Sequence, residues 1–147
     1  MITRRAFLAA AGAAAAAPAT LHATPEAMNE AIRALTAGAA APRGRVKLEV
    51  PELIENGNSV VLGVTVESPM TEADHVRAIH VLAPLNPLPK MISVYLGPRA
   101  GRARFTTRVR VANSQTLVAL AQLSDGSFWS DQVSVVVTLA ACAEEVK

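Results

Sequence analysis

The residue best suited to covalent chemistry is Cys142, which lies in the C-terminal stretch VTLAACAEEVK and is the only cysteine in the chain. In an oxidising compartment, a cysteine without a partner is either a reactive thiol or a link to another molecule. A buried structural cysteine is the usual alternative, but Val133, Val135 and Val137 already supply one face of the last predicted strand, and Cys142 follows that strand. We therefore interpret Cys142 as an attachment point that other proteins reach, with an incidental thiol as the remaining alternative.

The other polar side chains indicate no second site for chemistry. His75 and His80 are the only histidines outside the N-terminal segment described below, and no acid or cysteine accompanies them at the spacing of metal ligands. The serines of SDGSFWS fit a hairpin turn, and the chain has no Gly-x-Ser-x-Gly motif. Met70 and Met91 form no methionine-rich run that would indicate copper. We predict no catalytic site, no metal site and no bound cofactor.

A basic stripe is the second feature that could take part in binding. Four arginines alternate with apolar or small residues in RARFTTRVRV, so a continuous strand puts all four on one face. They are Arg102, Arg104, Arg108 and Arg110. Charge is also divided along the chain, because residues 24–75 hold eight acids and four bases while residues 76–147 hold eight bases and four acids. The stripe is either a solvated sheet face or a surface that docks an acidic partner or attracts anions.

Residues 1–23 have the pattern of a twin-arginine signal peptide. Arg4 and Arg5 precede a weakly apolar, alanine-rich stretch, and small residues precede two candidate cleavage points, after Ala19 and after Ala23. The stretch is too short and too small-chained to span a bilayer, which takes about 20 apolar residues. No polar face interrupts it, which argues against an uncleaved amphipathic helix. We expect the mature protein in the periplasm, where its single thiol meets oxidising conditions.

The twin-arginine route carries folded proteins, and this chain shows no cofactor motif that would require folding before export. We therefore expect a partner without its own signal to cross the membrane with it. Removal of Arg4 and Arg5 takes the formal charge from +2 to near zero, so nothing in the net charge calls for nucleic acid or a membrane surface. At 147 residues the chain has room for one domain of ordinary size.

The elements that must position Cys142 begin with a short helix and a linker in residues 24–44. Thr24 is a suitable N-cap, Pro25 suits the first turn, and Gly38 can close the helix. One stripe of the helix is apolar and predicts packing against the domain. It consists of Met28, Ala31, Ile32 and Leu35.

Residues 45–139 predict an all-β fold, an immunoglobulin-like antiparallel sandwich, followed by a flexible C-terminal arm over residues 140–147. Seven short alternating runs are separated by turn signals, with Asp125-Gly126 the best hairpin signal. The predicted strands are Val46–Val50, Val60–Ser68, Val76–Ala83, Met91–Leu96, Arg102–Val111, Leu117–Leu123 and Phe128–Leu139. The cysteine pair of antibody domains is absent, so the inference is to architecture only.

The sequence resembles the SoxY family, the sulfur-carrier subunit of the periplasmic thiosulfate-oxidising Sox system. The resemblance covers about Arg43 to Cys142 and runs through GRVKLEVPELIENGNSV, VTVESPMT, IHVLAPLNPLP, TRVRVANSQTLVALAQLSDGSFW and VSVVVTLAACA. It implies an immunoglobulin-like sandwich, a heterodimer with a SoxZ-like subunit that lacks its own signal, and a cysteine that carries sulfur intermediates. It also implies three further partners: a c-type cytochrome pair that loads thiosulfate, a sulfate-releasing hydrolase and a sulfane dehydrogenase.

The arm departs from the pattern of this family. SoxY chains typically end in Gly-Gly-Cys-Gly-Gly, whereas alanine stands here at Ala140, Ala141 and Ala143. Alanine restricts the backbone more than glycine does and adds a methyl group at each step. Glu144 and Glu145 follow, and their charge opposes thiolate formation and repels an anion such as thiosulfate.

Two functions follow from these observations. The first is a covalent carrier of sulfur intermediates, loaded on Cys142. The second is a SoxY paralogue that keeps a binding or scaffold role with altered or lost loading, as the alanines and glutamates of the arm suggest. An enzyme in its own right ranks last, because a single thiol with no paired base or resolving cysteine lacks the parts for turnover.

Overall fold

Two β-sheets packed face to face, with one helix on the outside, make up the computed structural model, which describes residues 23–141. The elements are α1 (Pro25–Thr36), β1 (Val46–Glu49), β2 (Leu53–Ile54), β3 (Val60–Val66), β4 (Val76–Leu82), β5 (Lys90–Tyr95), β6 (Arg104–Val109), β7 (Gln115–Leu123) and β8 (Phe128–Val137). One sheet has the order β1-β3-β6 and the other the order β2-β8-β7-β4-β5. The predicted β-sandwich with a short N-terminal helix is confirmed. None of the helices in residues 23–141 has the length and apolar character needed to cross a membrane.

All seven predicted strands are present, with boundaries that differ by a few residues at most. The sequence did not predict β2, which is only two residues long and pairs in parallel with the end of β8. Leu53 lies opposite Val136, and Ile54 lies opposite Val137. A strand of this length has no alternation to detect, and Pro51 just before it lowers strand propensity.

The core between the sheets is built from aliphatic side chains. Every second residue of β1 is buried, and in the central strands Leu62, Ile79 and Leu117 are completely excluded from solvent. Full burial of such a side chain stabilises the fold by about 1.5–3 kcal/mol. Valine, leucine and isoleucine therefore do the packing that aromatics do in many sandwiches, in agreement with the 3% aromatic content.

Helix α1 covers part of the outer face of the five-stranded sheet. The Thr24 Oγ1 accepts a hydrogen bond from the Ala27 amide at 3.1 Å, as expected for an N-cap. The predicted apolar stripe packs against Leu82, Leu120 and Phe128. The helix ends one residue earlier than predicted, because Ala37 takes the left-handed C-cap position with φ of 52°.

Asp131 of β8 ties the two sheets together. Its Oδ2 accepts a hydrogen bond from the Leu48 amide of β1 at 2.9 Å, and its Oδ1 accepts one from the Arg43 guanidinium at 2.9 Å. Burial is the largest influence and raises the pKa of Asp131, but the bonds from Leu48, Arg43 and the Gln132 backbone together bring that pKa below its ordinary value. The charged carboxylate is therefore the form that the fold stabilises.

We expect Asp131→Asn to lower the free energy of unfolding at pH 7 by about 1 kcal/mol, because the charge-assisted bonds are weakened. A depressed pKa in the folded state stabilises the protein above the unfolded pKa of about 3.9, and this contribution is lost as the pH falls through the folded pKa. The variant should therefore lose less stability than wild type on acidification, which urea unfolding from pH 7 downwards measures. Glu49→Gln is the control, since its exposed pair with Lys47 contributes about 0.5 kcal/mol or less. Equal urea midpoints for wild type and Asp131→Asn at every pH would contradict this role.

Candidate functional site

The candidate attachment residue Cys142, together with Ala143, lies outside the described residues, as do Arg4 and Arg5 of the predicted export signal. The arm residues Ala140 and Ala141 lie inside them. The site is therefore built from the residues that lead up to Cys142 and from the surface around them.

A ring of backbone hydrogen bonds holds the end of the described chain. The Gly57 amide donates to the Leu139 carbonyl at 2.8 Å, the Val111 amide donates to the Gly57 carbonyl at 2.8 Å, and the Ala141 amide donates to the Val111 carbonyl at 3.2 Å. We call these four residues, Gly57, Val111, Leu139 and Ala141, the arm anchor. Because every donor and acceptor in the ring is a backbone group, the anchor provides position and no acid or base.

Gly57 is the residue on which this ring depends. A Cβ at this position would lie 2.4 Å from the Val111 carbonyl oxygen, 2.9 Å from the Ala141 nitrogen and 3.1 Å from the Leu139 carbonyl oxygen. These are backbone atoms, which cannot move aside as the end of a flexible side chain could. The Asn56 side chain stabilises the same turn, since its Oδ1 accepts a hydrogen bond from the Asn58 amide at 3.0 Å. The ENGN segment therefore brings a bare backbone against the end of the chain.

Strand β2 directly precedes this turn, and hydrogen bonds hold it against the end of β8. The Thr138 amide donates to the Ile54 carbonyl at 2.9 Å, and the Thr138 hydroxyl donates to the Glu55 carbonyl at 3.0 Å. The Ser114 hydroxyl accepts a hydrogen bond from the Val137 amide at 2.8 Å. The parallel pairing of β2 with β8 thus continues as side-chain and backbone bonds up to the arm anchor.

Ala140 and Ala141 differ in their burial. Ala141 is 1% exposed and hydrogen-bonded, so its methyl group packs in the body. We predicted an arm from residue 140 onwards, but Ala141 is fixed to the sandwich. Consecutive Cα atoms lie about 3.8 Å apart across a trans peptide, so covalent geometry keeps Cys142 next to this anchored residue. Any enzyme that reaches the thiol must therefore come close to the body.

Exposed apolar side chains occur in the arm anchor and in the paired strands β2 and β8 that lead to it. Leu53, Val136 and Leu139 are 62%, 57% and 56% exposed, and Leu53 lies opposite Val136 in the pairing of β2 with β8. We call these three residues the exit patch. Exposed aliphatic side chains that are neighbours, as Leu53 and Val136 are, can form part of a contact surface for another protein.

The arginine stripe lies on the exposed side of β6 and its flanks, as the alternation predicts. Residues Arg104 and Arg108 are in the strand, Arg102 and Arg110 flank it, and all four are exposed, while Val109 is buried. The structure divides the stripe into two ends. Arg102 and Arg104 lie beside the end of β3, whereas Arg108 and Arg110 border a groove with Lys90. Docking of a partner on the stripe stays a prediction.

The remaining polar candidates have structural partners. The His75 Nδ1 lies 3.0 Å from the Thr71 carbonyl oxygen, and the His80 Nδ1 lies 2.8 Å from the Ser93 hydroxyl. Burial, followed by the charge of Lys90, lowers the pKa of His80. Ser127 donates to Asp125 within the hairpin turn, as predicted for SDGSFWS. Within residues 23–141, no group of three or more His, Cys, Asp or Glu residues is arranged to hold a metal ion.

Comparison with protein families gives one match that covers most of the chain. The model described as "Sulfur oxidation protein SoxY" matches residues 32–142, a range that ends at Cys142. The solved structure of the sulfur carrier protein SoxY from Chlorobium limicola f thiosulfatophilum is similar with a TM-score of 0.63 and 25% sequence identity. The match covers 78% of this chain and 98% of that one.

Other solved structures share the fold alone. The superoxide reductase (neelaredoxin) from Ignicoccus hospitalis is 21% identical with a TM-score of 0.57, over 64% of this chain and 80% of that one. A putative superoxide reductase from Thermotoga maritima is 22% identical with a TM-score of 0.54, over 67% of this chain and 87% of that one. No curated protein sequence matches the chain.

We expect Gly57→Ala to destabilise the protein by about 2–3 kcal/mol, because the added Cβ must push apart the backbone atoms of the arm anchor. Urea unfolding measures the loss, and faster hydrogen exchange at the Val111 and Ala141 amides would locate it. Gly97→Ala is the matched control, since its Cβ would have no atom within 4 Å. Equal stability and equal exchange in the two variants would show that the ring does not depend on Gly57.

Proposed function

The chain belongs to the SoxY family of sulfur oxidation proteins, and from this premise we propose that it is a covalent carrier loaded with sulfur intermediates on Cys142. The observation that carries the proposal is that the family match ends on the only cysteine of the chain, one residue after the anchored Ala141. The similarity to the sulfur carrier protein of Chlorobium limicola f thiosulfatophilum supports it. The carrier does not catalyse; other enzymes act on its cargo.

Loading with thiosulfate would form a sulfur–sulfur bond between the Cys142 Sγ and the terminal sulfur of thiosulfate. The thiol proton is released and a pair of electrons is removed, so the step needs an electron acceptor. A c-type cytochrome pair would supply that acceptor, as the family resemblance implies. A sulfate-releasing hydrolase and a sulfane dehydrogenase would then process the bound group. The body of the carrier needs no acid, base or metal for these steps, because each enzyme brings its own.

The arm anchor supports a role in which the protein holds the cargo and other enzymes act on it. A carrier must present its cargo at a defined place while leaving the cargo accessible, and the ring around Gly57 fixes the residue directly before Cys142. Since the thiol stays within one residue of the body, each enzyme that encloses it also contacts the surface around Ala141. The exit patch of Leu53, Val136 and Leu139 offers apolar surface for that contact.

The cellular location of the carrier and its partner subunit are part of the same proposal. The twin-arginine pattern at Arg4 and Arg5 supports export to the periplasm, and the mature chain begins after Ala19 or Ala23. Export in the folded state supports a heterodimer with a SoxZ-like subunit that has no signal of its own. A gene for such a subunit beside the gene for this chain would support the heterodimer directly.

A non-carrier role is the second candidate, and the sequence of the arm is the observation that supports it. Alanine replaces the family's glycines around Cys142, Ala141 is buried, and Glu144 and Glu145 place negative charge beside the thiol. Such a paralogue would keep its SoxZ-like partner and act as a binding or scaffold protein. The loading experiment separates the two functions.

We expect the intact mass of the mature protein to increase by one thiosulfate-derived group after incubation with thiosulfate, the c-type cytochrome enzyme and the SoxZ-like subunit. A reducing agent should remove the added mass, because the bond is between two sulfur atoms. Cys142→Ser should show no increase and should abolish support of thiosulfate oxidation. No adduct on wild type, together with full activity of Cys142→Ser, would leave only the scaffold role.

We expect Leu53→Ser and Leu139→Ser each to slow enzymatic loading by up to about tenfold, which corresponds to the loss of roughly 1.4 kcal/mol of apolar contact. Both side chains are exposed, so the free energy of unfolding should change little. Tyr95→Ser is the control, since Tyr95 is 73% exposed at the far end of β5. Loading rates that match the control would show that the exit patch does not contact the loading enzyme.

A further inference from the structure

The outer edge of β6 is open to a further strand. Within residues 23–141, β6 pairs only with β3, and the 2.8 Å bond from the Val66 amide to the Ala103 carbonyl continues that antiparallel pairing. Alternate residues of an antiparallel strand bond to the same neighbour, so the odd-numbered residues of β6 bond to β3. The even-numbered residues direct their backbone amides and carbonyls outwards, and they are Arg104, Thr106 and Arg108.

The side chain of Asn86 binds the continuation of this edge as a neighbouring strand would. Its Nδ2 donates to the Arg110 carbonyl at 2.9 Å, and its Oδ1 accepts a hydrogen bond from the Ala112 amide at 3.0 Å. One residue of a parallel strand makes the same two bonds to residues two apart. Because Asn86 occupies the edge from Arg110 onwards, an added segment can bind the backbone only before that point, at Arg108 and Thr106.

A groove of about 370 Å³ lies beside the end of β6, and its second wall is β5, the last strand of the other sheet. The cationic side chains that line it are Lys90, Arg108 and Arg110, and the apolar ones include Leu88, Met91 and Ile92. No acidic residue of the described part of the chain lines it. Positive charge beside apolar surface suits a ligand that carries both carboxylates and apolar side chains.

Within residues 23–141, no carboxylate neutralises the positive charge of the groove. The two ion pairs in this part of the chain involve none of its three cations. Arg108 donates a hydrogen bond to the Ser59 hydroxyl at 3.2 Å, which leaves its charge in place. The apolar wall is also accessible, since Leu88 is 72% exposed. Both parts of the groove can therefore contact another protein.

The alternation of side chains on β6 indicates which sequence would bind. Arg108 and Arg110 are exposed, whereas Val109 between them is buried. Residues of an added strand point to the same face as the residues opposite them, so those beside the two arginines should be acidic. The residue beside Val109 points inwards, where Met91 and Ile92 of β5 pack against the core, and should be apolar. We propose that the outer edge of β6 binds an extended segment of a partner protein in which acidic and apolar residues alternate.

This interaction goes beyond the proposed function, because binding at β6 involves neither Cys142 nor the arm anchor. The strength of such a contact is modest, since exposed ion pairs are weak and each backbone bond adds little net free energy. A partner held in this way can exchange with others. A chain that binds the segment but never accepts thiosulfate would keep this inference while the carrier function fails.

The test measures binding of a synthetic peptide to the full mature chain. The probe is fluorescein-labelled Gly-Glu-Leu-Glu-Leu-Glu-Gly, and fluorescence polarisation at low salt gives its Kd. We expect the groove variant, Arg108→Glu with Arg110→Glu, to raise the Kd by about tenfold. Arg99→Glu with Arg102→Glu is the matched control, since it makes the same charge change at two exposed arginines between β5 and β6, outside the groove. The control should leave the Kd within about twofold of wild type.

A peptide of reversed charge, Gly-Lys-Leu-Lys-Leu-Lys-Gly, tests whether the groove variant is competent to bind. Opposite charges again face each other, so this peptide should bind the groove variant about tenfold more tightly than it binds wild type. Lys90→Glu changes the opposite wall of the groove and serves as a second variant if the first does not fold. It should raise the Kd of the acidic peptide by about threefold.

Two N-methylated forms of the acidic peptide distinguish strand addition from attraction between charges alone. Methyl groups on the glutamate amides block the bonds of an antiparallel segment, and methyl groups on the leucine amides block those of a parallel one. One form should bind about tenfold more weakly, while the other keeps its affinity. The unmodified peptide should also slow hydrogen exchange at the outward-facing amides of Thr106 and Arg108, with no change at Val109.

Three results would overturn the proposal. The first is an equal Kd for the groove variant and its matched control, and the second is unchanged binding of both N-methylated peptides. The third concerns a second copy of the chain, which is the alternative occupant of the edge. Sedimentation velocity detects such a dimer, and its loss in the groove variant would assign the edge to self-association.

Discussion

Three backbone hydrogen bonds around Gly57 fix the position of Ala141, the residue that directly precedes the only cysteine of the chain. They link Gly57 to Leu139 and Val111, and Val111 to Ala141, so the last described residue is fixed to the body by groups that any residue carries. What makes the ring possible is the absence of a side chain at Gly57, because a Cβ there would meet three backbone atoms. The proposed attachment site is thus positioned by a glycine that lies 85 residues before Cys142 in the sequence.

The sandwich itself performs no chemistry in this account. The same architecture occurs in the superoxide reductase of Ignicoccus hospitalis and in the putative superoxide reductase of Thermotoga maritima, at identities that show the fold alone. Function therefore has to be inferred from the site and not from the fold. Here it rests on the SoxY family match, which extends through Cys142, and on the anchor that leads up to it. The surface adds the exposed apolar side chains of the exit patch.

Much of the fold could be predicted because it depends on local patterns. Period-two alternation indicated the seven longer strands, and Thr24 with Pro25 indicated the start of α1. Strand β2 was missed, since two residues are too few for a pattern and its partner in β8 lies more than eighty residues away. The C-cap shifted to Ala37 because the left-handed conformation favours glycine without requiring it.

The candidate site was predictable in identity but not in geometry. Cys142 stood out by composition and position, and the Asn56-Gly57 turn was visible in the sequence. Its contact with Ala141 was not visible, because backbone pairing between distant segments leaves no local signal. The arginine stripe was expected as one surface, yet only Arg108 and Arg110 border the groove, since Lys90 and the loop before β5 reach that end alone.

The central claim is that sulfur is carried on Cys142, and the most direct measurement is peptide mass analysis of the protein isolated from its native host supplied with thiosulfate. The account predicts that the C-terminal peptide containing Cys142 is found partly with added sulfur, removable by a reducing agent. If that peptide carries only the free thiol while the cells oxidise thiosulfate through this protein, the carrier account is contradicted.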